Sequence, residues 1–82
     1  MAKEKKIEIL VVGYGDGFIA VTSVKEGNEL KAFFNSKPEK ACIAATDYAL
    51  ENNYDTVNVI TANSGEDFEK FVIKHLNKSN GV

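Results

Sequence analysis

Apolar residues fill five of the six positions in Ile7-Glu8-Ile9-Leu10-Val11-Val12, and four of them are β-branched. That pattern predicts a strand from about Lys6 to Val12, buried on most of both faces and central in a sheet. Gly13-Tyr14-Gly15-Asp16-Gly17 then packs three glycines into five residues, a turn signal. Phe18 to Lys25 is again rich in β-branched residues and should pair antiparallel with the first strand. Glu26-Gly27-Asn28-Glu29 reads as a second turn, and Leu30 to Asn35 as a third strand. The first half of the chain is thus expected to be a three-stranded meander.

The period changes at Ser36-Lys37-Pro38-Glu39. Ser36 is placed to cap a helix, Glu39 follows three residues later, and Pro38 falls in the first turn, where its missing N–H does no harm. The helix is expected from about Pro38 to Asn52, with Asn52-Asn53 as its stop. Cys42, Ala45, Ala49 and Ile43, Thr46, Leu50 give it a broad inward stripe, and the alanines allow close approach to the sheet. Thr56 to Thr61 reads as a fourth strand. Ser64, followed by Glu66 and Asp67, opens a second helix. Its inward face is Phe68, Phe71, Val72, His75 and Leu76, while Lys70, Lys74, Asn77 and Lys78 point out.

The order β-β-β-α-β-α describes an α+β fold. A right-handed helical crossover places the fourth strand parallel to the first on its free side, so the mixed sheet should have order 3-2-1-4. Short connections suggest that both helices cover the same side. Alternation along the strands then turns Ile7, Ile9, Val11, Leu30, Ala32 and Phe34 toward the helices. Leu10, Val12, Phe33 and Ile60 form the apolar centre of an open face, with Tyr14 beside it in the first turn. An apolar patch of this kind usually marks an interface. The fourth strand is also an edge with no charge between Thr56 and Ala62. A homodimer through this face or edge is expected, with a foreign protein at the same surface as the alternative.

Composition narrows the picture. The 82 residues have room for a single domain spanning 1–82, with fraying expected at 1–5 and 79–82. Ten Lys plus Arg against twelve Asp plus Glu give a net charge of -2, which argues against an electrostatic nucleic-acid binder. Cys42 is the only cysteine, so neither an internal disulfide nor a cysteine-based zinc site is available. No apolar run is long enough for a membrane span, and the basic start lacks a signal-peptide core, so the cytoplasm is the expected address.

The chemistry-bearing residues are few. The glycine cluster at 13–17 precedes a strand and not a helix, so it reads as a hairpin turn rather than a phosphate loop. His75 is the only histidine and lies on the apolar side of the last turn of its helix, where it reads as structural. Cys42 reads as a buried structural thiol. Glu66 and Asp67 read as partners of the helix dipole before metal ligands. No catalytic residue, cofactor or metal site is expected.

The element order and the alanine-rich first helix resemble the ribonuclease H-like fold across nearly the whole chain. That family carries metal-binding carboxylates on the first strand, in the first helix and at the end of the fourth strand. The corresponding regions here are Val11-Val12-Gly13, the stretch near Ala41 preceded by Glu39 and Lys40, and Ala62 or Asn63. The strand positions lack the acids that two-metal catalysis requires, so no nuclease activity is expected. Asp16-Gly17-Phe18-Ile19-Ala20-Val21 and Pro38-Glu39-Lys40-Ala41, leading to Ala49-Leu50-Glu51, resemble the first turn and the helix of HicB-type antitoxins. The Pro- and Gly-containing segment usual before that helix is absent, and no appended DNA-binding domain is expected. The resemblance implies a catalytically inert scaffold that binds another protein as an antitoxin, inhibitor or regulatory subunit. Two other readings stand beside it. One is a nucleic-acid binder using the sheet face with Lys25, Lys31 and Lys37. The other is a metal-dependent hydrolase using Asp16, Glu39, Glu66 or Asp67.

Overall fold

The computed structural model describes residues 4–80, with side chains through Leu76. The elements are β1 (Lys6–Tyr14), β2 (Gly17–Glu26), β3 (Glu29–Asn35), α1 (Pro38–Glu51), β4 (Thr56–Thr61) and α2 (Gly65–Asn80). They form a four-stranded mixed sheet of order β3-β2-β1-β4, an α+β fold. β1 pairs antiparallel with β2 and parallel with β4, so the most apolar strand is indeed central. Residues 1–3 and 81–82, at the ends where fraying is expected, lie outside the described residues. Lys5 is firmly held: its N–H donates to Asp55 Oδ2 at 2.9 Å, and its carbonyl accepts from the Asp55 and Thr56 N–H groups. At the other end the α2 backbone remains helical to Asn80, past the expected loosening at Ser79.

Two short turns set the meander. Gly15 and Gly27 adopt φ of 59° and 67°, a left-handed geometry that matches the twist of paired strands in tight hairpins. Gly17 is required for a different reason. A Cβ there would lie 2.6 Å from the Asn35 carbonyl oxygen and 2.8 Å from the Phe34 ring. Gly17→Ala should therefore pry β3 from β2 and cost about 1–3 kcal/mol in a denaturant titration. An unchanged midpoint would show that the contact is not tight. Further along, the β2–β3 ladder slips between Val21 and Lys25. Fully buried Thr22 sits at this bulge, donating its hydroxyl to the Lys31 carbonyl at 3.0 Å and accepting from the Val24 N–H.

α1 starts one residue later than a Ser36 cap would place it. Pro38 forces the preceding residue into an extended conformation, so Lys37 (φ −120°, ψ 137°) becomes the N-cap, without a side-chain cap bond. The Asn35 side chain accepts the Lys37 N–H instead, at 3.1 Å. The helix ends at Asn52 and Asn53, as expected. Asn53 is left-handed (φ 62°), and the Tyr54 and Asn53 N–H groups return to the Ala49 and Leu50 carbonyls, the Schellman pattern.

The helices do not share a side of the sheet. Ile9, Val11 and Ala20 pack with Ala41 and Ala45 of α1, whereas Leu10 and Val21 pack with Phe71 of α2 on the opposite face. β1 is apolar at both parities because it serves both helices. The β3 phase is also opposite to the expected one. Phe33 pairs with Ala20 and joins the α1 face, where its ring meets Tyr48 at 5.7 Å. Leu30, Ala32 and Phe34 consequently turn toward the α2 side.

Candidate functional site

α1 presents a narrower inward stripe than its sequence suggests. Ala41, Ala45 and Ala49 are the fully buried residues, spaced four apart down one line of the helix. At about 100° per residue, Cys42 and Thr46 lie about 60° and 100° round from Ala45, and Leu50 and Ile43 about 140° and 160°. All four are on one flank. Tyr48 lies on the other flank and packs toward β3 with Phe33. The alanine line seats α1 on β1, β2 and β3, leaving β4 thinly covered. Ile43 and Leu50, expected inward, are 56% and 63% exposed, and Val59 of β4 is 45% exposed.

The result is an apolar trough alongside α1 over β4. It is lined by Val11, Phe18, Pro38, Glu39, Cys42, Val59 and Thr61 and holds about 370 Å³. Phe18 and Pro38 line it near the start of α1, while Ile43 and Leu50, about 160° and 140° round from the buried line, lie on the solvent side of α1 outside the trough. Cys42 is half-buried here, less enclosed than expected, with its Sγ 4.0 Å from Thr46 Oγ1. The trough opens at the carboxyl ends of parallel β1 and β4, where open α/β sheets commonly bind ligands. Glu39 is its only carboxylate. Among the described residues no three His, Cys, Asp or Glu side chains cluster closely enough to hold a metal ion. Asp67 accepts the Asn63 N–H at 2.9 Å, a capping role at the start of α2.

The residues read from sequence as an interface do not form one surface. Leu10 is 2% exposed beneath α2, and Phe33 is half-buried under α1. Each would have lain on an open face only if both helices shared the other. Ile60 is 37% exposed on the α2 side, Val12 is half-buried, and Tyr14 is 61% exposed. Tyr14 meets Phe34 edge-on at 6.4 Å, a small aromatic patch beside the register pairs Val12–Ile19 and Ile19–Phe34. The three lysines considered for nucleic acid also diverge. Lys25 Nζ donates to the Leu76 carbonyl of α2, Lys31 lies over the Phe33 and Tyr48 rings on the α1 side, and Lys37 caps α1.

A second cleft, of about 610 Å³, separates α2 from β4 and includes Lys6, Glu8, Ser23, Asn58, Lys74 and His75. Here His75 Nε2 approaches Glu8 Oε1 at 2.8 Å, and Lys74 Nζ approaches the same oxygen at 3.7 Å. The contact is not aligned as a hydrogen bond, so the buried Nε2 has no hydrogen-bond partner among the described residues. The His75 ring packs against Phe71 with centroids 4.5 Å apart and planes tilted by 59°. These groups tie the far end of α2 to β1, in keeping with a structural histidine. The exposed α1 flank was the feature hardest to find in sequence. The signal was present in the four-residue spacing of the alanines, which defines a line that excludes Ile43 and Leu50.

No helix among the described residues is long and apolar enough to cross a membrane. Comparison of the chain with known protein families, with curated proteins and with solved structures returned no match.

Proposed function

We propose that this chain is a non-catalytic protein-binding module, acting in the cytoplasm as a small inhibitor or regulatory protein in the manner of HicB-type antitoxins. The observation that carries the reading is the trough beside α1. Val11, Phe18, Pro38, Cys42 and Val59 line one open apolar groove, with Val59 45% exposed, in a domain too small to leave such area uncovered at no cost. The floor is a strand without charge and the wall is a regular helix, so the groove suits an amphipathic helix of the partner laid along α1. Helices pack at interaxial distances of about 8–10 Å, and β4 lies two strand spacings, about 9.6 Å, from β2 beneath α1. A partner helix over β4 therefore occupies the place of the missing second helix on this face. The lone Glu39 in the trough supports a binding role over metal-assisted hydrolysis, which needs several oxygen ligands.

The test is affinity capture from an extract of the source cells with wild-type protein, Val59→Glu, Thr61→Glu and a Lys40→Ala control. Both groove positions are exposed, so the variants should keep the wild-type melting curve. Each charge buried in the groove should weaken the captured complex at least about tenfold, the effect of losing an interface anchor. Equal retention by all four proteins would contradict the reading.

A further inference from the structure

β4 is bonded on one side only, to β1, and Asn58, Val59, Ile60 and Thr61 are all exposed. Natural edges are usually blunted by a charge, a proline, a bulge or a covering element. The other edge, β3, carries Glu29 and Lys31 and adjoins a bulge. β4 has none of these devices. We infer that β4 is the pairing edge for a second copy of this chain, joined antiparallel across a two-fold axis into one eight-stranded sheet.

Self-pairing about a two-fold axis brings a strand against its own sequence, so any central charge would approach its like. With Val59 opposite Val59 of the second copy, Asn58 faces Ile60 and Val57 faces Thr61, and no charged pair arises. α2 lies over β1 to β3 with a cleft between it and β4, so it leaves the joined edge uncovered on that face.

Pairing also completes the trough. On the α1 side the floor would continue from Val57 and Val59 into the same residues of the second copy. The two α1 helices would stand about 24 Å apart, taking five strand spacings between them, which is room for two further helices. The second copy thus supplies the missing wall of the binding groove. This extension of the trough rests on the protein-binding reading, whereas the pairing itself does not.

Sedimentation velocity of the purified protein without any partner separates the two. The monomer mass is 9.0 kDa, and the wild type should sediment at twice that in the tens to hundreds of micromolar. Val59→Lys and Ile60→Lys, both at exposed positions, should remain folded by circular dichroism and sediment as monomers. A wild-type monomer at 500 µM, on the order of the highest practical concentration for such interfaces, would overturn the pairing and leave the single-copy trough standing. A dimer broken by Tyr14→Lys but not by Val59→Lys would also overturn it, placing the contact at the aromatic patch.

Discussion

Replacing Ile9 with alanine is expected to cost about 2–5 kcal/mol of folding free energy. Ile9 is fully buried, pairs with Thr22 on one side and Val59 on the other, and packs against the α1 alanines. Neither sheet neighbours nor helix can collapse into the vacancy without breaking the strand register, so the cavity term is retained in full. Small domains have only about 5–15 kcal/mol in total, and this one stands at the low end for its length. The variant should show a large fall in urea midpoint, with much of the population unfolded at 37 °C. A loss below about 1 kcal/mol would mean that β1 is not the strand on which the core is assembled.

Enlarging Ala45 should also be damaging, for the opposite reason. Ala45 is fully buried at the centre of the line Ala41, Ala45, Ala49, on which α1 lies against the sheet. A phenyl ring there has nowhere to go within the existing helix–sheet spacing. Overpacking of this kind costs about 1–3 kcal/mol and sometimes more. Because α1 covers three strands, the displaced helix would also lose its contact with Phe33. We expect Ala45→Phe to lower the melting temperature by many degrees, while Ile43→Phe, on the exposed face of α1, should melt within a few degrees of wild type. Similar melting curves for the two would show that α1 is rotated from the position described. The paired comparison is informative because the two residues are only two apart in sequence.

Those two positions also mark what sequence could and could not reveal. Element types and strand order were legible because local signals agreed: a doubly apolar strand, glycine turns, and a proline and two asparagines bracketing a helix. That β1 is apolar on both faces was legible too, as a run without alternation, although Leu10 was placed on an open face and is buried under α2. Which helix each parity served was not. The choice depends on whether the Ala62–Ser64 connection carries α2 over or under the sheet, and three small residues permit either. The β3 phase failed for a related reason. Phe33 and Phe34 are equally apolar, and only the pairing of Phe33 with Ala20 decides between them. The interface residues read from sequence inherited the error, since an open face was deduced from placing both helices together. The edge character of β4 survives because it depends on strand order and on the absence of charge, both independent of the side that α2 takes.

The single cysteine makes the central claim, a partner held in the trough between α1 and β4, directly measurable. A benzophenone attached to Cys42 points into that trough. The same label on Asp47→Cys in a Cys42→Ser background lies on the outer side of α1, where Asp47 is exposed. After irradiation in an extract of the source cells, the account predicts a covalent adduct with a partner chain, heavier than the protein's own dimer, from position 42 and not from position 47. Equal adduct at the two positions, or adduct from position 47 alone, would contradict it.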